Sequence, residues 1–160
     1  MKTIFDFFLP AKADNTIRGT KLPFYIFLMV ALVGSVRSFI HILSPDGGAG
    51  SIAGMDLSVT GANGIIFGFA LWGSAQFIYA LLQWVVILRY RSLVPFMWLV
   101  QLMETLLRML VGHIKPVTFA HVPPGAIGNY VYLVISVLIL ALCVREAFNQ
   151  KKKIDRNTTG

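Results

Sequence analysis

Three polar residues are spaced for one helical face inside a long apolar stretch of the chain. Residues 92–111 read SLVPFMWLVQLMETLLRMLV, and at about 100° per residue Gln101, Glu104 and Arg108 lie within about 60° of one another. A carboxylate can exchange a proton, and a guanidinium binds anions and carbonyl oxygens. An ionisable side chain at membrane depth costs roughly 2.5–3.5 kcal/mol even on insertion scales. The spacing therefore predicts a polar site inside the protein, with Glu104 and Arg108 paired at i,i+4.

A second cation, Arg37, lies in the first apolar segment, four residues before His41. Arginine does not lose its proton to escape burial. We therefore expect either that Asp56 folds down from a loop to pair with it, or that an anionic or carbonyl-bearing ligand occupies the site. Glu104 is the candidate acid or base, with His41 as its partner. The candidate ligand-binding residues are Arg37, His41, Asp56, Gln76, Gln101, Glu104 and Arg108.

Three interpretations of these polar residues stay open. They can form a structural network that fixes the register of the helices, a small-molecule site, or a path for protons or ions. The last lacks a second membrane carboxylate to relay a proton. A metal site is not predicted, because the three histidines share no helical spacing and the chain has one cysteine. No particular cofactor is indicated.

The composition places these residues in a membrane protein. Of the 160 residues, 56% are hydrophobic and only 13% are charged, against roughly 25% charged residues in soluble domains. Such a chain has too little polar surface to cover a water-soluble fold. The net charge of +7 comes from basic residues at the ends of apolar segments. That placement indicates orientation in a membrane and argues against nucleic acid as a partner.

Four apolar segments are each long enough to cross a bilayer at 1.5 Å per residue. Each carries its own polar stripe, and lipid cannot hydrogen-bond these side chains. We therefore predict a single all-α integral membrane domain, an antiparallel bundle of four transmembrane helices. Gly64 and Gly68 have the GxxxG spacing of close helix packing. The predicted spans are about 24–43, 63–88, 93–111 and 127–144, and a basic tail follows at 145–160.

The distribution of lysine and arginine predicts the orientation. Eleven lie in the N-terminal segment, the turn at Arg89 and Arg91, and the C-terminal tail, whereas the two opposite loops hold one, Lys115. This bias predicts both termini on the cytoplasmic side of a cell inner membrane. Residues 4–9 (IFDFFL) are either an interfacial foot or a loosely ordered tail.

Helical rise places the polar residues towards the outer half of the bundle. We expect the loops that carry Asp56 and His121 to cap this region. The result would be a pocket that opens outwards or sideways rather than a uniform pore.

The order of short motifs resembles the DoxX-like group of small bacterial four-helix membrane proteins. The matching pieces are the Ser44-Pro45 turn, residues 61–68 (GANGIIFG), residues 108–112 (RMLVG) and the proline-rich loop at 121–125 (HVPPG). The chain is most similar to an uncharacterised family in that group, over roughly residues 24–145. The resemblance implies the four-helix fold. For function, it implies either thiol or sulfur redox chemistry at quinones or an accessory role in membrane complexes. It assigns no catalytic residue, and this chain has only one cysteine.

The sequence thus favours an integral membrane binding or accessory protein. Its polar pocket is expected to accommodate a lipid, a quinone-like molecule or another amphipathic molecule beside the membrane lipids. One alternative is an enzyme that acts on such a molecule. Another is a structural subunit of a larger membrane complex, with other membrane subunits as partners.

Overall fold

The computed structural model describes residues 4–158, and all regular elements within that range are helical. Lys2, one of the predicted cytoplasmic cations, lies outside it. The four longest helices are each long and apolar enough to span a membrane, which confirms the predicted four-helix membrane bundle. The elements are α1 (Ile4–Phe8), α2 (Leu22–Leu43), α3 (Ala62–Arg89), a 3-10 turn (Arg91–Leu93), α4 (Val94–Ile114) and α5 (Pro124–Thr158).

Proline sets the limits of α2. Pro23 lies in its first turn, where a residue without an N–H is tolerated. Ser44 ends the helix with φ −67° and ψ 137°, because a residue that precedes a proline is forced out of the helical region. Pro95 has the same place in the first turn of α4.

The bundle consists of two hairpins. α2 packs mainly on α3, and α4 packs mainly on α5. In the first hairpin, Ser35 contacts Trp84 and Arg37 contacts Gln76. Residues later in α2 therefore contact residues earlier in α3. The two helices are therefore antiparallel. We call the end with the tight α3–α4 turn the basic end, and the end with loops 44–61 and 115–123 the loop end.

The hydrophobic core lies towards the basic end. It combines the first half of α2, the last turns of α3, the start of α4 and the middle of α5. Trp98 is fully buried there, and its indole N–H donates to the carbonyl oxygen of Pro23 over 3.1 Å. The edge of its ring meets Phe27 with centroids 6.0 Å apart. Fewer helix residues are buried towards the loop end than towards the basic end. The polar residues of the four spans therefore lie where the two hairpins pack less closely.

The expected packing role of Gly64 and Gly68 is wrong within this chain. A Cβ atom added at either position would have no neighbour within 4 Å. The close approach lies farther along α3, at Gly73, where an added Cβ would be 2.6 Å from the Cβ of His41.

Two terminal segments also differ from the sequence-based description. α5 does not end near Val144 but continues as a helix of 35 residues to Thr158, about 52 Å at 1.5 Å per residue. The basic tail is thus an extension of the fourth span. At the other terminus, α1 buries Phe7 and Phe8 in the core, so residues 4–8 are neither a loose tail nor a segment whose aromatic side chains all face outwards.

Candidate functional site

Arg37 has two neighbours on α3 and no carboxylate among them. Its Nε donates to Oε1 of Gln76 over 3.1 Å, and its Cζ lies 5.2 Å from the ring centroid of Trp72. Trp72 and Gln76 are one helical turn apart, so α3 offers a hydrogen-bond acceptor and an aromatic face to the same guanidinium. The Nε2 of Gln76 is buried and has no hydrogen-bond partner among the described residues. Among the described residues no carboxylate forms an ion pair with the guanidinium, although Glu104 lines the same small cavity as Arg37.

The predicted ion pair on α4 is confirmed. Arg108 Nη2 lies 2.9 Å from Oε2 of Glu104, and the same oxygen accepts from Nε2 of Gln101 over 3.2 Å. Thr105 is fully buried and donates to the backbone carbonyl of Gln101 over 2.9 Å. The hydroxyl of Tyr79 lies 3.5 Å from Oε1 of Gln101, a long contact that links α3 to α4. The network therefore crosses between the hairpins.

A small cavity brings four of the predicted residues together: Arg37, Gln76, Gln101 and Glu104. It encloses about 30 Å³, which is enough for about one water molecule. A ring or an acyl chain does not fit into that space. The cavity admits one polar atom at a time, between one cationic donor, amide side chains and one carboxylate. The other residues that line it are Val30, Gly34, Tyr79, Ala80, Gln83 and Tyr132.

His41 lies outside this cavity, so the predicted pairing of His41 with Glu104 is wrong. Its Nδ1 lies 2.7 Å from the carbonyl oxygen of Gly47. Its ring packs against Trp72 and Phe69, with centroids 5.0 Å and 5.7 Å away, and the residue is 6% exposed. These contacts join the end of α2 to the following loop and to α3. His41 therefore has a structural environment.

Asp56 is not the partner of Arg37 either. It is exposed, and its Oδ1 accepts from the backbone N–H and the hydroxyl of Ser58, over 2.8 Å and 2.6 Å. The hydroxyl bond and then the backbone bond lower the pKa of the Asp56 carboxyl. The hydrogen bonds from Ser58 and exposure to solvent thus stabilise the Asp56 carboxylate without an ion pair to Arg37.

The two loops that were expected to cap the polar region contact each other, through His121 but not through Asp56. The N–H of Ala120 donates to the carbonyl of Gly54 over 2.9 Å, and Nε2 of His121 lies 3.2 Å from the carbonyl of Ile52. Gly54 has φ +70°, and a Cβ there would lie 2.6 Å from the imidazole of His121. The contact therefore needs glycine for two reasons.

Arg108 borders a different and larger cavity, between the end of α4, loop 115–123 and the start of α5. Four residues of the sequence-based set therefore line the small cavity and Arg108 lines the larger one, whereas His41 and Asp56 line neither. Thr105 was missed as a member of the network, and Tyr132 was predicted only as part of the polar stripe of the fourth span, not as a site residue. Thr105 was detectable because it follows Gln101 by one helical turn, whereas the role of Tyr132 depends on how α5 meets the other helices. Within residues 4–157, no three His, Cys, Asp or Glu side chains cluster as metal ligands.

These features define an integral membrane protein of four spans with a polar network between two helical hairpins. Comparison of the chain with family models, curated proteins and solved structures finds no match. The resemblance to DoxX-like proteins therefore stays a prediction.

Proposed function

We propose that the protein is an integral membrane binding or accessory protein whose Arg37 site accepts a polar group of an amphipathic molecule, such as a lipid or a quinone-like compound. The observation that supports this most directly is the charge of Arg37. It has an amide oxygen and an indole face as neighbours but forms no ion pair with a carboxylate of the described residues, while Glu104, which lines the same cavity, is paired with Arg108. A carbonyl or anionic oxygen would satisfy it and also accept from the unpartnered Nε2 of Gln76.

The size of the cavity constrains the way such a ligand binds. A space of about 30 Å³ holds an oxygen atom but not a ring. The polar tip of the ligand would enter between the hairpins, while its apolar part lies along the lipid-facing surface of the helices. Exposed Leu71 and Val33 belong to the apolar surface of this hairpin. Ligand entry from the side therefore requires no water-filled channel.

Mass spectrometry of molecules that co-purify with the protein tests this proposal, with Arg37→Ala and Gln76→Glu as the variants. Gln76→Glu places a carboxylate next to Arg37 with almost no change of shape, so it should supply the missing charge from within. We expect the wild type to retain a stoichiometric amphiphile, and both variants to lose it. Gln76→Glu should lose it without a fall in thermal stability, which separates ligand loss from misfolding.

A structural subunit is the alternative, and the small volume of the cavity favours it. In that case the wild type would carry no stoichiometric small molecule, and Arg37→Ala would only lower the melting temperature. An amphiphile retained equally by wild type and Gln76→Glu would also contradict binding at Arg37. An enzymatic role for Glu104 would need a partner other than His41.

The proposal includes the orientation predicted from charge, with both termini on the cytoplasmic side of a cell inner membrane. Its support is the excess of lysine and arginine at the basic end, eleven against one. The Arg37 site would then lie in the outer half of the bundle.

A further inference from the structure

A second cavity, separate from the Arg37 site, lies at the loop end of the second hairpin. It encloses about 430 Å³, within the roughly 300–1,000 Å³ of small-molecule sites. Its lining includes the side chains of one arginine, one histidine and one lysine, and no Asp or Glu. The polar residues of the lining are Arg108, His113, Lys115, Asn129 and Tyr130.

The donors of this cavity are largely unused. The Nε of Arg108 is buried and has no hydrogen-bond partner among the described residues, although Nη2 of the same residue holds Glu104 at 2.9 Å. The side chains of His113, Lys115 and Asn129 form no hydrogen bond or ion pair with another residue of the described range. Arg108 and Lys115 are both positively charged, and Glu104 pairs with only Arg108. The surroundings therefore carry an excess positive charge.

The ends of two helices face this cavity with opposite effects. α4 ends at Ile114, and the partial negative charge of its C-terminus would repel an anion. Lys115 and His113 sit at that end and offset it. α5 begins at Pro124, and Ala126 of its first turn lines the cavity. The dipole of a helix N-terminus favours an anion, but Pro124 has no N–H and the N–H of Ala126 donates to the carbonyl oxygen of Pro123. The positive balance at the cavity therefore comes from the side chains of Arg108 and Lys115.

We propose that this cavity binds a phosphate group, with Arg108 and Lys115 as the charged donors and Asn129 as a neutral donor. Arginine and lysine together are typical of phosphate sites. Val117 and Phe119 add an apolar wall against which the glycerol of a phospholipid can pack. The phosphate can belong to an anionic lipid headgroup or be free in solution. The proposal does not depend on the function of the Arg37 site.

Hydrogen–deuterium exchange of residues 112–130 tests the proposal with full-length protein in nanodiscs. The discs contain phosphatidylcholine alone, phosphatidylcholine with one-third phosphatidylglycerol, or phosphatidylcholine with inorganic phosphate added to the buffer. Lys115→Gln removes one charge at the cavity. Lys152→Gln removes one charge from the far end of α5 and is the matched control, because both side chains are exposed.

We expect exchange of 112–130 to slow in the wild type and in Lys152→Gln when phosphatidylglycerol is present. Lys115→Gln should show little slowing at the same phosphatidylglycerol fraction, because the loss of one charge-assisted hydrogen bond weakens binding about tenfold. The same pattern with inorganic phosphate alone would identify a free phosphate as the ligand. No slowing in the wild type under either condition would overturn the proposal. Equal slowing in Lys115→Gln, or its loss in Lys152→Gln, would do so as well.

Discussion

Gly73 of α3 lies directly against His41 of α2. A Cβ atom at Gly73 would be 2.6 Å from the Cβ of His41 and 3.2 Å from its backbone carbonyl carbon. Neither neighbour is the flexible tip of a side chain, so a larger residue would push the helix backbones apart. This approach also holds the ring of His41 over Trp72, whose indole contacts Arg37 as well. The polar site thus depends on a glycine that carries no polar group.

Gly73→Ala should destabilise the protein by about 1–3 kcal/mol, the usual cost of overpacking a tight contact. Thermal unfolding in detergent, followed by circular dichroism, measures the change. Gly64→Ala and Gly68→Ala are matched controls on the same helix, because a Cβ there meets nothing within 4 Å. Since alanine also favours helix over glycine, we expect the two controls to be neutral or stabilising. Equal destabilisation by all three would contradict the proposed contact.

Glu104 and Arg108 should be energetically coupled. Glu104→Gln leaves the guanidinium without its carboxylate, and Arg108→Gln leaves the carboxylate without its cation. Because each single change leaves a charge unpaired, the double variant should be less destabilised than the sum of the two. A double-mutant cycle should give a coupling of about 0.5–3 kcal/mol, measured by unfolding in mixed micelles. A cycle of Glu146→Gln with Arg108→Gln is the additive control, and a coupling of zero for Glu104 would refute the pair.

The loop after α2 should loosen in acid. Asp46 accepts from the backbone N–H groups of Ser51, Gly48 and Gly50, and the bond from Ser51 contributes most to lowering the pKa of its carboxyl below 3.8. A carboxyl whose pKa is lower in the folded than in the unfolded chain stabilises the fold fully at a pH above its unfolded pKa. This stabilisation is lost as the pH falls from the unfolded pKa through the folded pKa. Amide exchange of residues 47–54, corrected for its intrinsic pH dependence, should therefore rise below about pH 4.

Asp46→Asn is the control for that measurement. It should show faster exchange of the same amides at neutral pH and little further change in acid. A wild-type loop that exchanges equally slowly at all pH values would contradict the role of Asp46.

The proposed orientation predicts which end of the protein an impermeant thiol reagent reaches. In a Cys143→Ala background, a cysteine at position 152 should be labelled only after the membrane of intact cells is opened. A cysteine at Thr60, in the first loop, should be labelled from outside without that step. Both side chains are exposed, so burial does not explain a difference. The reverse pattern would invert the proposed topology.

The helices were predictable because their limits depend on local chemistry. Pro23, Ser44-Pro45 and Gly61 mark ends that the sequence displays, and apolar length identifies the spans. The continuation of α5 past Val144 was not predicted, since charged residues fit a solvent-exposed helix as well as a tail. The prediction of close helix packing at Gly64 and Gly68 was wrong for a different reason. Spacing shows which residues share a face but not which face meets the neighbouring helix.

The site was predictable where it lies within one helix and less so between helices. Glu104–Arg108 follows from i,i+4 spacing, and the nearness of Gln76 to the α4 residues follows from depth. The environment of His41 includes the backbone carbonyl of Gly47 in the next loop. Every residue has such a carbonyl, so the sequence does not show which one His41 contacts. Asp56 was chosen for its charge, but its neighbour Ser58 already satisfies that charge. The second cavity needs the tertiary fold, because its polar residues come from α4, a loop and α5.

The division into two hairpins has a consequence for biosynthesis. α2 and α3 emerge from the ribosome before α4 and α5, and most of their contacts are with each other, including those at Gly73 and Arg37. Helices that follow along the chain, α4 and α5, do the same, so each hairpin can close when its second helix is complete. Arg37 can therefore contact Gln76 and Trp72 within the first hairpin before α4 packs against it.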